Sequence, residues 1–458
     1  MLTAAEIITA TQGRLAWGKA AARIKSFSTD SRKLKRSQAY IAIEGKKHDG
    51  HKFIQQVIKK GCKVLIVHKT VKVSGDVTVI HVKDTTRALG NIAAYHRSKF
   101  SLPVVAITGS AGKTTTKEFV SQVLSSKFKV LKNYKNENNQ YGVPFTLLRM
   151  NRSFDICVIE VGTNQPGDID WLGQITKPDV AVFTNIGESH LSGLKSPRGV
   201  FEEKLSLLKY IDPKGTVIFN ADDSYLRKIA HMRLSQRKLS FGINRPAGYR
   251  AVGLTVRPQA LSFKVNKRGY ELNPPIYHNV YNALIAITCG ELFTVGYNNI
   301  RNSLKKIESP DGRNKFYKFK NRWIIDDAYN SNPVSFRGAL KTLDQFSNDG
   351  AKFLVCADMF ELGAKAVSLH KEMGLCVCKT RVDHVFSFGP LAKHITDTVK
   401  KKNKKIEARH FNSLLDLHRK IKSAVHPGDC ILVKGSRGMK MDRTVDYLKK
   451  TFSEKGLD

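Results

Sequence analysis

A chain of 458 residues is too long for one hydrophobic core, so two or three domains are expected. With 41% hydrophobic residues and no apolar run near the roughly 20 residues that a membrane helix needs, the composition excludes a disordered chain and a helical membrane protein. The 77 lysines and arginines against 39 acids give a formal charge of +38, spread along the chain rather than gathered in an arm. Such a field suits anionic small substrates, and nothing localises it as a nucleic-acid footprint.

In chain order, the N-terminal segment reads as an amphipathic helix and not a signal peptide, since no basic segment leads into an apolar core. Short β-rich runs follow at 39–43, 64–67 and 77–82, and 44–51 reads as a polar loop after the first. Pro103 opens a second block in which buried runs at 104–107, 155–160, 179–184 and 216–219 alternate with helical segments. Runs of this kind, bounded by glycine and proline, are what a parallel sheet covered on both faces leaves in sequence. A third block follows Ser309-Pro-Asp-Gly-Arg313, with strands expected at 323–325, 352–356, 384–388 and 429–433. The charge run 400–405 reads as a solvated helix end or loop. The seven cysteines are scattered, and the Cys376/Cys378 spacing is no zinc knuckle, so reduced thiols in a cytoplasmic protein are expected.

The strongest local signal is Thr108-Gly-Ser-Ala-Gly-Lys-Thr-Thr-Thr116, between a buried strand and a helix. Gly109 and Gly112 let backbone N–H groups turn toward an anion, and the helix N-terminus adds partial positive charge. Lys113 neutralises outer phosphates, and the Thr114 hydroxyl is placed for Mg²⁺. Ile107 stands where the full eight-position phosphate-loop pattern has its first glycine.

The loop continues into Lys117-Glu118 and is followed by Asn136-Glu-Asn-Asn139-Gln-Tyr-Gly142-Val-Pro144. Further segments are Ser28-Thr-Asp-Ser-Arg32, Asp49-Gly-His51, Ile159-Glu-Val-Gly162, Asn185-Ile-Gly-Glu-Ser-His190 and His278-Asn-Val-Tyr-Asn282. The third block adds Asp326-Asp-Ala-Tyr-Asn-Ser-Asn-Pro333, Asp358-Met-Phe-Glu-Leu-Gly363 and Val433-Lys-Gly-Ser-Arg-Gly438. Together, in this order and over nearly the whole chain, they resemble the MurF family of the Mur ligases. The resemblance implies three α/β domains. These are a smaller N-terminal UDP-substrate-binding domain at 1–100, a central doubly wound P-loop ATPase-like domain with a mostly parallel sheet at 101–308, and a C-terminal Rossmann-like domain at 309–458. It implies ATP-dependent joining of D-alanyl-D-alanine to UDP-N-acetylmuramoyl-tripeptide through an acyl phosphate. A monomer without nucleic-acid or membrane partners is expected.

The resemblance also assigns residues. Thr108, Gly109, Ser110, Ala111, Gly112, Lys113, Thr114 and Thr115 would cradle the nucleotide, with Asn282 near adenine, Arg313 at the γ-phosphate and Asp327 near the ribose. Glu160 and His190, with Thr114, would hold Mg²⁺, and Lys204 falls where the family carries a carbamylated lysine that would bind a second Mg²⁺. Lys204 must lose its proton to react with CO₂, which Glu202 and Glu203 would oppose if they point the same way. Thr29, Asp30, Ser31, Arg32, Gly45, Asp49 and His51 would hold the UDP part, and Asn330 and Asn332 lie in a segment matched to the dipeptide. Ala357 departs from the glycine the family often has before Asp-Met, which puts the course of that loop in question. Two rivals are a sister ligase sharing the phosphate loop, and a nucleic-acid-dependent ATPase for which 156–160 would serve as an apolar run ending in acid. No aromatic-basic interleaving accompanies the latter.

Overall fold

The computed structural model describes residues 1–45, 48–256 and 260–453. Of the expected 44–51 loop, Lys46 and Lys47 lie outside the described residues. Three main sheets succeed one another along the chain. The first has five strands in the order Arg14–Trp17, Thr78–His81, Val64–Val67, Gln38–Ile41 and Ser26–Ser28, parallel except for the first pair. The N-terminal segment is a two-residue strand, Leu2–Thr3, followed by the helix Ala4–Thr11, which Thr3 and Glu6 close with a reciprocal capping box.

The central sheet is seven-stranded and parallel throughout. Its order is Tyr249–Arg250, Arg237–Gly242, Thr216–Asn220, Val180–Phe183, Val104–Thr108, Ile156–Glu160 and Val130–Lys132. Of the five strands from Val104 to Asn220, the four that form its middle are fully buried, which explains why they read as unbroken apolar runs, and Val130–Lys132 lies at the edge. The strand order reverses around Val104–Thr108. The strands after it first run to one side, and then Val180–Phe183 joins its other side. A crevice at the carboxyl ends of Val104–Thr108, Ile156–Glu160 and Val180–Phe183 follows from that reversal.

A three-stranded antiparallel sheet, Val252–Val256, Leu261–Val265 and Arg268–Leu272, hangs from the end of the central one. The third main sheet has six strands in the order Lys315–Phe319, Arg322–Asp327, Cys430–Lys434, Lys352–Ala357, His384–Phe388 and Glu407–Phe411, antiparallel only at its first pair. Ala357 ends its strand opposite Phe388 without a break in the ladder, so the alanine costs that strand nothing. The 400–405 run holds the exposed end of the helix Lys393–Lys402, and all seven cysteines are free thiols.

Candidate active site

Ile107 lies inside the strand Val104–Thr108, paired with Glu160 and Val182, so the strand occupies the place where longer phosphate loops already turn. The turn itself needs its glycines. Gly109 has φ +155°, and a Cβ there would stand 1.9 Å from Thr184 Oγ1. Gly112, at φ +79°, starts the helix Lys113–Leu124. Asn185 grips the loop from the next strand: its carbonyl accepts from Ser110 N (2.9 Å) and its Oδ1 from Ala111 N (2.9 Å). Lys113 Nζ donates back to Gly109 O at 2.7 Å, and burial lowers its pKa, with Glu160 opposing.

Glu160 closes its strand at 1% exposure. Oε2 accepts from the Thr114 hydroxyl (2.7 Å), Oε1 from Asn138 Nδ2 (2.6 Å), and the Glu160 N–H donates to Asn133 Oδ1 (2.5 Å). Both carboxylate oxygens are thus oriented before any ligand arrives. Asn138, quoted only as part of a motif, and Asn133, not singled out at all, are the two residues that the sequence reading missed here. The NxNN spacing could have flagged the first.

Lys204 sits in the helix Pro197–Leu205, 1% exposed, and its amine has no hydrogen-bond partner among the described residues. Burial, then nearby Lys113, hold its pKa well below the usual lysine range. Of its two acidic neighbours only Glu203 favours the charged amine, and burial and Lys113 outweigh it. Glu202 reaches into solvent and pairs with Arg198 (2.8 Å). Glu203 turns the other way, accepting from Gly167 N and Ile169 N (both 2.8 Å) and so capping the helix Asp168–Thr176.

The third sheet's elements form the facing wall. His190, at φ +53°, places Nδ1 2.6 Å from Glu361 Oε2, and Glu361 O accepts from Ser192 N. Asn332 caps the helix Pro333–Gln345 through Ser335 N (2.8 Å), and its Nδ2 donates to Ser110 O of the phosphate loop at 3.2 Å. Gly187 leaves no room for a Cβ because Val334 Cγ2 would be 2.1 Å away. Arg337 adds an ion pair with Glu188 (2.9 Å).

Two cavities result. A cleft of about 410 Å³ is lined by Ser110–Lys113, Asn138, Glu160, His190, Arg313, Tyr329, Asn330, Asn332, Phe360 and Arg437 among others. A smaller cavity of about 70 Å³ lies between Gly112, Thr115, His278, Asn282, Arg313, Asp327 and Lys434. In it the Asn282 Oδ1 accepts from Thr116 (2.8 Å), while Asn282 Nδ2 donates to Asn279. Asp327 Oδ2 takes Lys434 Nζ at 2.5 Å, and burial raises the carboxyl against that pairing. Burial, with Lys341 and Lys434, pushes His278 down to about 4. Lys434 and His278 were quoted in motifs without a role.

The N-terminal candidates line neither cavity. Asp30 pairs with Arg32 (3.0 Å), Lys60 binds the Ser31 and Arg32 carbonyls, and Gly45 N donates to His48 O. Asp49 accepts from His51 N and Lys69, and its Oδ1 is 2.7 Å from His51 Nδ1. Thr29 lies between these groups at the end of the strand Ser26–Ser28. The structure groups them on one face of the first sheet, apart from the cleft.

A buried strand, a glycine turn onto a helix, and an acid at the neighbouring strand end define a phosphate-loop α/β protein with a second α/β unit closing over the loop. Family models agree in all three parts: Mur ligase middle domain at 107–290, Mur ligase glutamate ligase domain at 312–437, and Mur ligase family catalytic domain at 23–97. The chain is 34% identical to the UDP-N-acetylmuramoyl-tripeptide–D-alanyl-D-alanine ligase of Buchnera aphidicola subsp. Baizongia pistaciae, over 94% of this chain and 93% of that one. MurF from Acinetobacter baumannii superposes with a TM-score of 0.90 at 30% identity, covering 99% of each chain. MurF from Thermotoga maritima in complex with ADP gives 0.85 at 26%, covering 94% and 98%. The chain therefore belongs to the Mur ligase family, and within it to the MurF ligases, rather than to the sister ligases or nucleic-acid ATPases.

Proposed function

We propose that this chain joins D-alanyl-D-alanine to UDP-N-acetylmuramoyl-tripeptide, activating the tripeptide carboxylate with ATP and releasing ADP and phosphate. The reading includes the three-domain division at 100 and 308 and a monomeric, cytoplasmic enzyme of peptidoglycan precursor synthesis. The observation that carries it is the phosphate loop and the oriented Glu160 lining one cleft, with the buried, unpartnered Lys204 near enough to feel the charges of Lys113 and Glu160.

Lys113 and Arg313 supply positive charge where a transferred phosphoryl group develops negative charge, and the backbone N–H groups of Gly112 to Thr114 point at the same place. Asn282 would meet the adenine and Asp327 the ribose, on the smaller cavity's walls. Among the described residues no cluster of three His, Cys, Asp or Glu is built for a metal. That suits Mg²⁺, which takes one or two protein oxygens and completes its shell with phosphate and water. Thr114 and Glu160 fit such a site. When bound, Mg²⁺ neutralises phosphate charge and polarises the acyl group.

Lys204 is suited to attack CO₂: it is buried, burial and then Lys113 hold its pKa well below the usual lysine range, and its amine has no hydrogen-bond partner among the described residues. Its carbamate would turn a cation into an oxygen ligand beside His190, completing a second Mg²⁺ position. Asn330 and Asn332 sit at the wall where the dipeptide would enter, and Thr29 to Arg32 with Gly45, Asp49 and His51 would hold the UDP end.

Phosphate release measured with UDP-muramoyl tripeptide, ATP and D-alanyl-D-alanine tests the proposal. Release that requires all three and yields the pentapeptide product is expected. ATP turnover that ignores the dipeptide, or that requires nucleic acid, would falsify it.

A further inference from the structure

The segment Val433 to Gly438 stands out in the sequence, and the reading above leaves part of it unused. Lys434 goes to Asp327 in the smaller cavity. Ser436 is spent on architecture: its Oγ accepts from Phe360 N (2.8 Å) and donates to Ser331 O, and its N–H binds Asp358 O. Between and beyond them, Arg437 is exposed, opens the short turn Arg437–Met439 and faces the cleft.

The cleft wall holds three lysine or arginine side chains among the described residues: Lys113, Arg313 and Arg437. Lys113 is folded onto the phosphate loop, and Arg313 lines both the cleft and the smaller nucleotide-side cavity. Arg437 lines the cleft alone, and no carboxylate of the described residues pairs with it. Its guanidinium rests 4.8 Å from the Tyr329 ring centroid, the same ring that Arg313 approaches at 4.3 Å. Its backbone lies in a turn in which Met439 N donates to Ser436 O, and Gly438 adjoins the Phe360 ring, where a Cβ would stand 2.8 Å from Phe360 Cε2. Phe360 itself is 41% exposed to the cleft. An unpaired guanidinium over the Tyr329 ring, on a turn that also adjoins the exposed Phe360 ring, is a receptor for a small carboxylate with apolar substituents.

The incoming dipeptide is such a molecule. It brings a free C-terminal carboxylate and methyl side chains, while its amine must reach the activated carbonyl at the phosphate loop. The UDP-tripeptide enters from the N-terminal side, so the wall formed by the third sheet is left for the second substrate. We propose that Arg437 binds the C-terminal carboxylate of the dipeptide, with Tyr329 and Phe360 packing against its methyl groups, and so sets specificity for a free acid at that end. The inference rests on the ligase reading above.

The test compares D-alanyl-D-alanine with its C-terminal amide in the wild type, Arg437→Gln and Arg437→Lys, varying each substrate in turn. In the wild type the amide should raise KM by about 10- to 100-fold. Arg437→Gln should raise KM for the acid by a similar factor, leave KM for ATP and for UDP-tripeptide within about twofold, and treat acid and amide alike. Arg437→Lys, which keeps the charge without the planar fork, should recover part of the preference. A wild type indifferent to the amide overturns the assignment. So does an Arg437→Gln enzyme that keeps the preference, or one that loses affinity for the UDP-tripeptide instead. A wild type that turns over no dipeptide at all strikes the ligase reading, which is a different result.

Discussion

The cleft and the Ser28–His51 face of the first sheet carry similar residues under opposite conditions. Around the phosphate loop, Glu160 and Lys204 are 1% exposed and Asp327 6%, and each acid is held by two or more donors from different elements. On the first sheet the Arg32 side chain is 82% exposed, and its one charged partner is Asp30, two residues away. Buried groups whose orientation is imposed from several directions act as fixed dipoles for chemistry, whereas exposed local pairs can exchange partners for a ligand at little cost. Substitutions should therefore strike the two regions in different currencies: turnover and stability in the cleft, substrate affinity on the sheet face.

The largest effect is expected from Lys204→Ala. Ligase turnover should fall by about 10³-fold and bicarbonate should not restore it. Labelled bicarbonate should give a carbamate carbon resonance in the wild type that this variant lacks. Turnover within a few-fold of the wild type would make Lys204 a bystander.

A pH experiment sharpens the same side of the comparison. His278 titrates near 6.5 when exposed and about 4 in the folded chain, so below pH 6.5 the unfolded chain binds a proton that the folded one refuses. Its contribution is whole above about 6.5 and is lost as pH falls toward 4, by at most about 3 kcal/mol. Melting temperatures from pH 7 to pH 4 should fall less steeply for His278→Gln than for the wild type. Parallel slopes would mean that another group governs acid unfolding.

The smallest effect belongs to the sheet face. Arg32→Ala should leave the melting temperature close to that of the wild type, since an exposed pair contributes little. It should raise KM for UDP-tripeptide by about tenfold while leaving KM for ATP alone. A loss of ATP affinity instead would dissolve the contrast between the two regions.

Legibility in the sequence follows the same divide. The phosphate loop is local, its glycines, lysine and threonine lying within one turn and the start of a helix, so spacing alone locates it. The central strands are buried on both faces and announce themselves as apolar runs. The strands Val252–Val256 and Lys315–Phe319 were not anticipated, because half-exposed antiparallel edges leave no continuous apolar signal. Val130–Lys132 is too short to show. What adjacency in sequence cannot give is direction. Glu203 adjoins Lys204 in number, yet its carboxylate belongs to a helix start more than thirty residues earlier. Likewise Asn133 and Asn138 reach Glu160 only after the chain has crossed to the next strand. Which sheet each motif adjoins is readable, but the pairing of motifs across the cleft is a property of the packed molecule.

Asn332 gathers this into one side chain. Its Oδ1 terminates a helix and its Nδ2 reaches the phosphate loop of another unit. Aspartate can cap but has no hydrogen to donate, and alanine can do neither. The folding of the third unit and its docking on the nucleotide loop therefore depend on one and the same amide.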